Sequence, residues 1–590
     1  MSEITKKIRE EITNFTTQSV SLGSNDTFSQ YKMVNTIHLF RNRKYRDGKI
    51  NSQGKYRYWY DIIQPKVNDE VKNVDFDTSN VFFHSDARSD SVPVFILNAG
   101  FKQWMRDSRE GEKINEAEEE GSALGNVVWK KTAKGYEKVD LKNFYVINPL
   151  AECLDDTPVI ERHNMTQSDL RGMKGVWDDA MIDAVIKNCG NKVFGAKIDD
   201  YNPQNTKTPY YEVFERNGEV STKELQEAQG KIGDANTGDN DTYVLAKIVS
   251  SGLGFKIGKE YILFAEEIDE MPYVEYHRGP YKGRWWREGL VELLYDVQTR
   301  INRIGNELAS GLEYASKILF RHTDVKTVQN ALTDLMNGAM INSKDLQQVE
   351  VRMNGFDQLV DEWNRLLDLA NRIANSFEIT SGEALPSGTP LGLGRLYNQN
   401  ANKFYNFIQE KFGLAYSRII EDWILPQMVK EIKGKDVVTI MGDEKYLTEY
   451  YQMAVDAWYV QNLIAIGPHT EQQAKMLKDI KLQELMSSKA KAQIQIEDGA
   501  FTGVLKRIQV IITGENWNVG EVDTLATLVK FESDPVRRSA LLEIIGERSV
   551  RGVDFKNLPK SAPIQPMQQP QQTMQPNQAV MPQVQPALAQ

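Results

Sequence analysis

Cysteine is almost missing from this chain of 590 residues: Cys153 and Cys189 are the only two. Two thiols cannot build a disulfide framework for a chain of this length, and they suit a reducing compartment. Long apolar runs are missing too. No stretch of about 18 apolar residues occurs, so no membrane-spanning helix and no membrane partner are expected. The opening MSEITKKIREEITNF lacks the apolar centre of a signal peptide, so no leader is expected there. An excess of positive charge is also lacking. Lys and Arg number 71 against 82 Asp and Glu, a net charge of −11. That excludes a protein that grips nucleic acid with its whole surface, because neutralising phosphates takes concentrated Lys and Arg. It leaves room for one that lets DNA pass without holding it.

Sequence signatures of chemistry are sparse. The six histidines are His38, His84, His163, His277, His322 and His469. No two stand at i, i+4, and neither cysteine has a Cys or His at zinc-motif spacing. The acidic pairs Asp155–Asp156, Asp178–Asp179 and Asp199–Asp200 read as caps or solvated turns. No Gly-x-Ser-x-Gly elbow is present. The Gly/Pro segment GEALPSGTPLGLGRL (Gly382–Leu396) has no lysine for a phosphate-binding loop. As a dinucleotide fingerprint it offers Gly392 and Gly394 but Tyr397 in the third place, after a helix where a strand is needed. No catalytic residue, metal or cofactor is expected.

What is present is ordinary globular composition, 41% hydrophobic and 26% charged, with about four domains' worth of sequence. The first 75 residues mix helical and turn segments. RNRKYRDGKINSQGKYRYWY (Arg41–Tyr60) interleaves basic and aromatic residues. It reads as a solvated loop followed by a strand, or as a phosphate contact. Val92–Glu119 reads as one helix. Asn126–Pro149 reads as two β runs joined by a turn at Ala133–Gly135. Thr166, with Asp169 three residues on, marks a helix start. YYEVFER, TYVLAKIVS and EYILFAEE read as strands of a mixed α+β region.

From Gly289 the pattern changes. Leu290, Leu294, Val297, Ile301, Ile304, Leu308, Leu312, Ala315 and Leu319 recur three or four apart, an apolar stripe on a helix some 45 Å long. Asp296, Arg300, Arg303 and Glu307 lie off it. A short helix and a hairpin around Ser343–Asp345 follow. A second stripe runs through Phe356, Leu359, Trp363, Leu366, Ala370, Ile373 and Phe377. After the Gly/Pro segment, a third helix carries Phe404, Ile408, Phe412, Ile419 and Trp423 and should stop near Pro426. Helices are expected near Tyr446–Ile464, Glu471–Ser487 and Val522–Phe531, with a strand over Arg507–Thr513. The last helix has Asp534 as N-cap, Pro535 at its first position and Gly546 as terminator. No charge follows Lys560, and ten Gln and six Pro fill the final 30 residues, a composition that cannot bury a core.

Two long amphipathic helices around a small α/β insertion, then a Gly/Pro loop leading into a third helix, resemble the portal proteins of tailed bacteriophages. EYHRGPYKGRWWREGLVELLYDVQTRINRIGN (Glu275–Asn306) has the family's strand, turn and Gly-started helix, with Leu-x-x-x-Gln-x-x-x-Asn at Leu294, Gln298 and Asn302 after Gly289. VIITGENWN before a helix and the uncharged Gln/Pro tail also look like portal C-termini. The resemblance rests more on the order of elements than on any one motif.

It implies an α+β, predominantly helical subunit. Residues 1–288 would be the α+β wing, 289–320 the first stem helix, 321–353 the clip and 354–378 the second stem helix. Residues 379–396 would be the tunnel loop, 397–434 a long wing helix, 435–558 a helical crown and 559–590 a disordered Gln/Pro tail. Copies would meet through Leu294, Val297, Gln298, Ile301, Asn302, Ile304, Leu308, Trp363, Leu366 and Ile373. The clip would dock its partners through Asp324, Lys326, Asp334, Lys344, Asp345 and Arg352. Ser381, Gly382, Pro386, Gly388, Pro390, Gly392 and Gly394 would line the channel, with Arg395 or Lys403 touching phosphate or else paired on the wing helix.

The implied function is a ring, usually dodecameric, at one capsid vertex of the virion, assembled in the host cytoplasm. Double-stranded DNA would be packaged and ejected through it. A separate terminase motor and later the head-to-tail adaptors would dock on the clip, and the major capsid or scaffolding protein would hold the ring. No catalysis falls to this chain. Three other readings stay open: a ring-forming or scaffold component without a DNA channel, a metal-dependent nucleic-acid enzyme with dispersed carboxylates, and a monomeric helical adaptor.

Overall fold

The computed structural model describes residues 3–23, 26–50, 54–75, 81–85, 91–133, 135–189, 210–230, 242–252, 260–315, 319–321, 347–349, 355–376, 391–431 and 471–487, together with a few residues between 451 and 512. The chain divides into two compact units. The first holds Met1–Phe82, Gly100–Glu431 and Val510–Glu515, and the second holds Phe83–Ala99, Ile432–Gln509 and Asn516–Gln590. The fold is mixed α+β, as expected, and helix predominates among the described residues.

The chain opens with α1 (Glu3–Thr17), the hairpin β1 (Val20–Gly23) and β2 (Asp26–Phe28), α2 (Gln30–Arg41) and α3 (Ile63–Val74). After β3 (Val81–His84) come α4 (Ser91–Asp107) and α5 (Glu110–Leu124). The single helix expected over Val92–Glu119 is thus two. Ser108 turns its hydroxyl back to the Trp104 carbonyl at 2.5 Å, and Arg109 takes a left-handed φ of 53°. A hydroxyl competing for a helical carbonyl in this way favours a break. The strand β4 (Asn126–Thr132) turns directly into β5 (Gly135–Lys138), with Thr132 paired to Gly135 as the turn signal predicts.

Strands β6 (Phe144–Val146), β7 (Val159–Thr166), β8 (Tyr210–Ser221), β9 (Tyr243–Ser251) and β10 (Tyr261–Glu267) form one antiparallel sheet in the order β10-β9-β8-β7-β6. Its two faces follow from the period of two along each strand. One face buries Ile160, Phe214, Val220 and Ile248 against Ile4 and Ile8 of α1 and Leu225 of α8 (Thr222–Ala228). The other buries Val213, Val249 and Leu263 against Leu170 of α6 (Gln167–Gly172) and Ile182 and Val185 of α7 (Asp179–Cys189). Both short helices start where polar residues cap them: Thr166 with Asp169, and Ser221 with Glu224, make reciprocal capping boxes. Strand β11 (Tyr273–His277) completes a second sheet, β11-β4-β5.

The central core joins α2, α3, α5, both sheets and the helices that follow: α9 (Leu290–Leu293), α10 (Tyr295–Ala315) and, after β12 (Leu319–Arg321) and β13 (Gln347–Val349), α11 (Phe356–Ile373). The chain reaches α9 by a close crossing. Gly125, at φ 86°, meets Gly289 so tightly that a Cβ on Gly289 would stand 2.4 Å from the Ala123 carbonyl oxygen. Then α12 (Leu391–Ile419) passes through a π-helical turn, Ile420–Ile424, into α13 (Leu425–Glu431). Pro426 therefore does not stop the helix. The wider turn just before it relaxes the hydrogen-bond ladder where the proline has no N–H to give.

In the second unit, Asn98 bonds both the N–H and the carbonyl of Phe83, at 2.7 and 3.1 Å. The helix expected at Glu471–Ser487 is present as α14, and residues 451, 452, 455 and 459 are helical within the expected Tyr446–Ile464. The strand β14 (Gln509–Ile512) lies inside the expected Arg507–Thr513. The helices expected at Val522–Phe531 and from Asp534 to Gly546, and the Gln/Pro tail, lie outside the described residues.

Candidate functional site

The apolar stripe that begins at Leu290 produces nearly one helix. Hydrogen bonds from Leu294 to Leu290 (2.9 Å) and from Gln298 to Leu294 (2.8 Å) carry across the joint between α9 and α10. The two ends of the stripe differ. Leu294, Val297, Ile301 and Ile304 are buried inside the chain, and so are the polar Gln298 and Asn302. These six were expected at a seam between copies; their own chain already covers them. Leu308 is half-buried, and Leu312 is 58% exposed.

What covers the buried end is an extended strap, residues 58–62, hydrogen-bonded to a row of side-chain amides. Ile62 N–H donates to Gln298 Oε1 (3.0 Å), and Gln298 Nε2 donates to the Tyr60 carbonyl (2.6 Å). Tyr60 N–H donates to Asn302 Oδ1 (2.8 Å). Tyr58 exchanges two bonds with Asn306, its N–H to Oδ1 at 2.8 Å and Nδ2 to its carbonyl at 2.9 Å. The match is geometric. Four residues of helix rise about 6 Å, and two residues of extended chain advance about 6.6 Å. Amides at 298, 302 and 306 therefore meet residues 62, 60 and 58 as a neighbouring strand would. The Tyr60 ring lies against Gly305, where a Cβ would stand 2.3 Å from the ring. Sequence reading picked out Gln298 and Asn302 for another role and missed Asn306 and Gly305. An amide at every fourth helical position was the available signal.

Before the strap the chain makes a compact turn. Gly48 N–H bonds Tyr45 O (3.2 Å), Arg57 N–H bonds Lys49 O (2.8 Å), and Ile50 and Tyr56 form an antiparallel bridge. Phe40, Tyr45 and Trp59 stack edge-to-face beneath it, and the Arg57 guanidinium lies 4.5 Å from the Tyr45 ring centre. Burial raises the Tyr45 phenol above its ordinary value, against the opposing pull of Asn306 and Arg57. The loop expected over Arg41–Tyr60 is present; the strand expected after it is instead an extended segment whose backbone pairs with side chains of α10, with only the isolated Ile50–Tyr56 bridge among the described residues.

Helix α11 packs beside α10. Trp363 meets Tyr60 edge-on at 5.1 Å, Leu366 and Ile373 lean on the core, and Arg300 holds Glu362 through two bonds of 2.8 and 3.0 Å. The hairpin closes through β12 and β13, with Leu319 paired to Val349 and Arg321 to Gln347. Leu319 and Phe320, expected in the first stem helix, are therefore strand residues; a strand partner at 347–349 takes over where α10 ends. Outward-facing apolar residues remain on the long helices: Leu312, Val360 and Leu369, then Phe407 and Leu414 on α12.

Of the residues expected to line a channel, Gly392, Gly394 and Arg395 belong to the first turns of α12, which begins at Leu391. This corrects the loop boundary at residue 396. Two glycines cost about 1 kcal/mol each in a helix, too little to stop one of 29 residues that sets Leu391, Leu393 and Leu396 around them. Lys403 is exposed on α12. Ser381, Gly382, Pro386, Gly388 and Pro390, and all six clip residues (Asp324, Lys326, Asp334, Lys344, Asp345 and Arg352), lie outside the described residues.

One buried ionic cluster tests the metal alternative. Glu161 and Glu215 are directly opposite one another on β7 and β8, and His163, two residues from Glu161, shares its face. A Glu-x-His in a strand puts both side chains on one side, a signal that helical i, i+4 spacing does not contain. The carboxylates face Lys130 of the other sheet, whose Nζ is 2.7 Å from Glu161 Oε2 and 2.7 Å from Glu215 Oε2. His163 Nε2 stands 3.6 and 3.4 Å from the same two oxygens. Lys247 adds a contact to Glu215 at 3.0 Å. Burial alone would lower the Lys130 ammonium, but Glu215 and Glu161 outweigh it and raise it. Burial alone would raise Glu215, but His163, Lys130 and Lys247 hold it well below the usual carboxylate range. The ammonium stands where a cation would have to bind, so this donor set fits an ionic bolt between two sheets and does not fit a metal site.

No family model matches the chain, and no curated protein sequence matches it.

Proposed function

We propose that this chain is the subunit of a portal-type ring, a conduit for double-stranded DNA at one vertex of a phage capsid. The observation that carries this reading is a set of exposed apolar residues at the far end of α10 and on the two flanks of α11. Leu312, Val360 and Leu369 are 58%, 39% and 44% exposed on helices whose other sides are packed. Single exposed apolar residues are ordinary; a set of them on two adjoining long helices is what a neighbouring copy would cover. The order of elements supports the same reading: a helix, an insertion closed at its base by two strands, a returning helix and then a third long helix.

In this reading the seam between copies uses Leu308, Leu312, Val360 and Leu369, and the strap and amide row serve the fold of each subunit. Twelve copies form the ring, the insertion docks a terminase motor and later the tail adaptors, and the major capsid or scaffolding protein seats the ring. The chain supplies geometry, and the motor supplies ATP hydrolysis. Native mass spectrometry and electron microscopy of concentrated protein test it. Closed rings with an axial bore wide enough for a DNA duplex are expected. Single chains of 67.3 kDa at every concentration, or closed assemblies without a bore, overturn it.

A further inference from the structure

We infer that the turn preceding the strap is a docking surface for single-stranded nucleic acid. The inference stands on the single subunit and does not depend on ring formation. Residues 41–60 hold seven basic residues (Arg41, Arg43, Lys44, Arg46, Lys49, Lys55 and Arg57) and one acid, Asp47, a balance of +6 within a chain of net charge −11. Four of the seven are committed. Arg41 pairs with Glu119, Arg43 with Asp61 and Lys55 with Glu313, while Arg57 bonds the Gly48 carbonyl and covers Tyr45. Lys44, Arg46 and Lys49 remain, all exposed and with no acidic partner within 4 Å among the described residues. With 82 acidic residues in the chain, three exposed cations around a single acid, Asp47, form a local positive site on a negative molecule.

The aromatic residues make the site specific to a class of partner. Along the extended segment, Arg57 and Trp59 turn inward to the aromatic platform, and Tyr56 and Tyr58 turn outward, 58% and 56% exposed. Their rings stand 6.0 Å apart at 63°. The backbone beneath Tyr58 is held by Asn306 and its carbonyl also by the Tyr45 hydroxyl at 2.7 Å, so the rings sit on a fixed support. Cations for phosphates beside exposed rings for bases are the two elements that hold unpaired strands. A duplex keeps its base faces stacked and would use only the cations. An acidic peptide would leave the rings idle, and a membrane surface calls for a larger apolar face than Ile50 and two tyrosines give.

The test uses the full chain with a fluorescent 20-nucleotide oligothymidine and a 20-base-pair duplex, titrated at several salt concentrations. With three phosphate contacts, log affinity for the single strand should fall against log salt with a slope of about −2. Replacing Lys44, Arg46 and Lys49 together by serine should bring the slope close to zero and weaken binding at least tenfold. Tyr56→Ala with Tyr58→Ala should weaken the single strand five-fold or more and leave duplex binding unchanged. Unaltered thermal melting of both variants would show that the strap stays latched, since every changed residue is exposed and none of the changed side chains bonds the amides at 298, 302 and 306 among the described residues. If the serine variant binds like the parent, if the tyrosine variant binds the single strand undiminished, or if anionic lipid vesicles compete at lower concentration than the oligonucleotide, the inference is wrong.

Discussion

The junction between the two sheets and the middle of α5 both bury carboxyl groups, and they treat them in opposite ways. At the junction, Glu161 and Glu215 face Lys130, with His163 and Lys247 alongside and the Tyr273 hydroxyl 3.4 Å from Glu161. On α5, Glu118 is 2% exposed and neither of its oxygens has a hydrogen-bond partner among the described residues. Burial drives its carboxyl up to about 9, with a smaller push from Asp75. Burial by itself is therefore not the destabilising factor. Its effect depends on whether a partner of the right charge is buried with the group.

The junction can be broken most severely. Lys130→Met should leave two carboxylates facing each other without their counter-ion and cost about 3–5 kcal/mol in urea unfolding at neutral pH. Adding Glu161→Gln and Glu215→Gln to that variant should recover much of the loss. A triple variant no more stable than the single one would mean that Lys130 acts by its packing and not its charge.

The Glu118 site should respond with the opposite sign. Its folded-state carboxyl is held above the ordinary value near 4.5, so the folded chain keeps a proton that the unfolded chain has lost. The associated stability is whole below about pH 4.5 and drains away as pH rises toward about 9, at up to about 1.4 kcal/mol per pH unit. Glu118→Gln should remove that slope. Between pH 5 and pH 8 the parent should lose about 2–4 kcal/mol more than the variant. Parallel stability profiles for the two proteins would refute the account.

Part of this was legible in the sequence, and the reason is range. The turn at Ala133–Gly135, the Thr166 capping box and the helix Glu471–Ser487 depend on neighbours a few residues away, and each formed as read. The stripe from Leu290 was legible as a helix, but Ile301 and Leu312 are the same kind of residue in a sequence. Only distant partners, the strap 236 residues from Gln298 and the other elements of the central core, decide that one is core and the other surface. The junction cluster needed the pairing of Glu161 with Glu215 across β7 and β8, which no local pattern announces. The glycines at 392 and 394 misled for a related reason: composition suggested a loop, while the leucines at 391, 393 and 396 and the length of α12 favoured helix.

The amide row extends the comparison to uncharged groups. Gln298→Ala would orphan the Ile62 N–H and the Tyr60 carbonyl and empty the space between them. A loss of about 2–3 kcal/mol is expected, with faster hydrogen exchange at residues 60 and 62 and little change in the two sheets. An equal loss of protection across all elements would mean that the strap and the sheets unfold as one body.

Gly305 carries the smallest effect and the sharpest sign. A glycine in the middle of α10 forgoes about 1 kcal/mol of helix propensity relative to alanine. A Cβ there would stand 2.3 Å from the Tyr60 ring, so the ring would have to move off the helix and loosen its 5.1 Å edge contact with Trp363. Gly305→Ala should therefore destabilise the parent by about 1–2 kcal/mol, the steric loss exceeding the propensity gain. In a Tyr60→Ala background the obstacle is gone and only propensity is left, so the same substitution should stabilise by about 1 kcal/mol. A glycine kept for backbone freedom would show the same sign in both backgrounds; one kept as a seat for the strap reverses it.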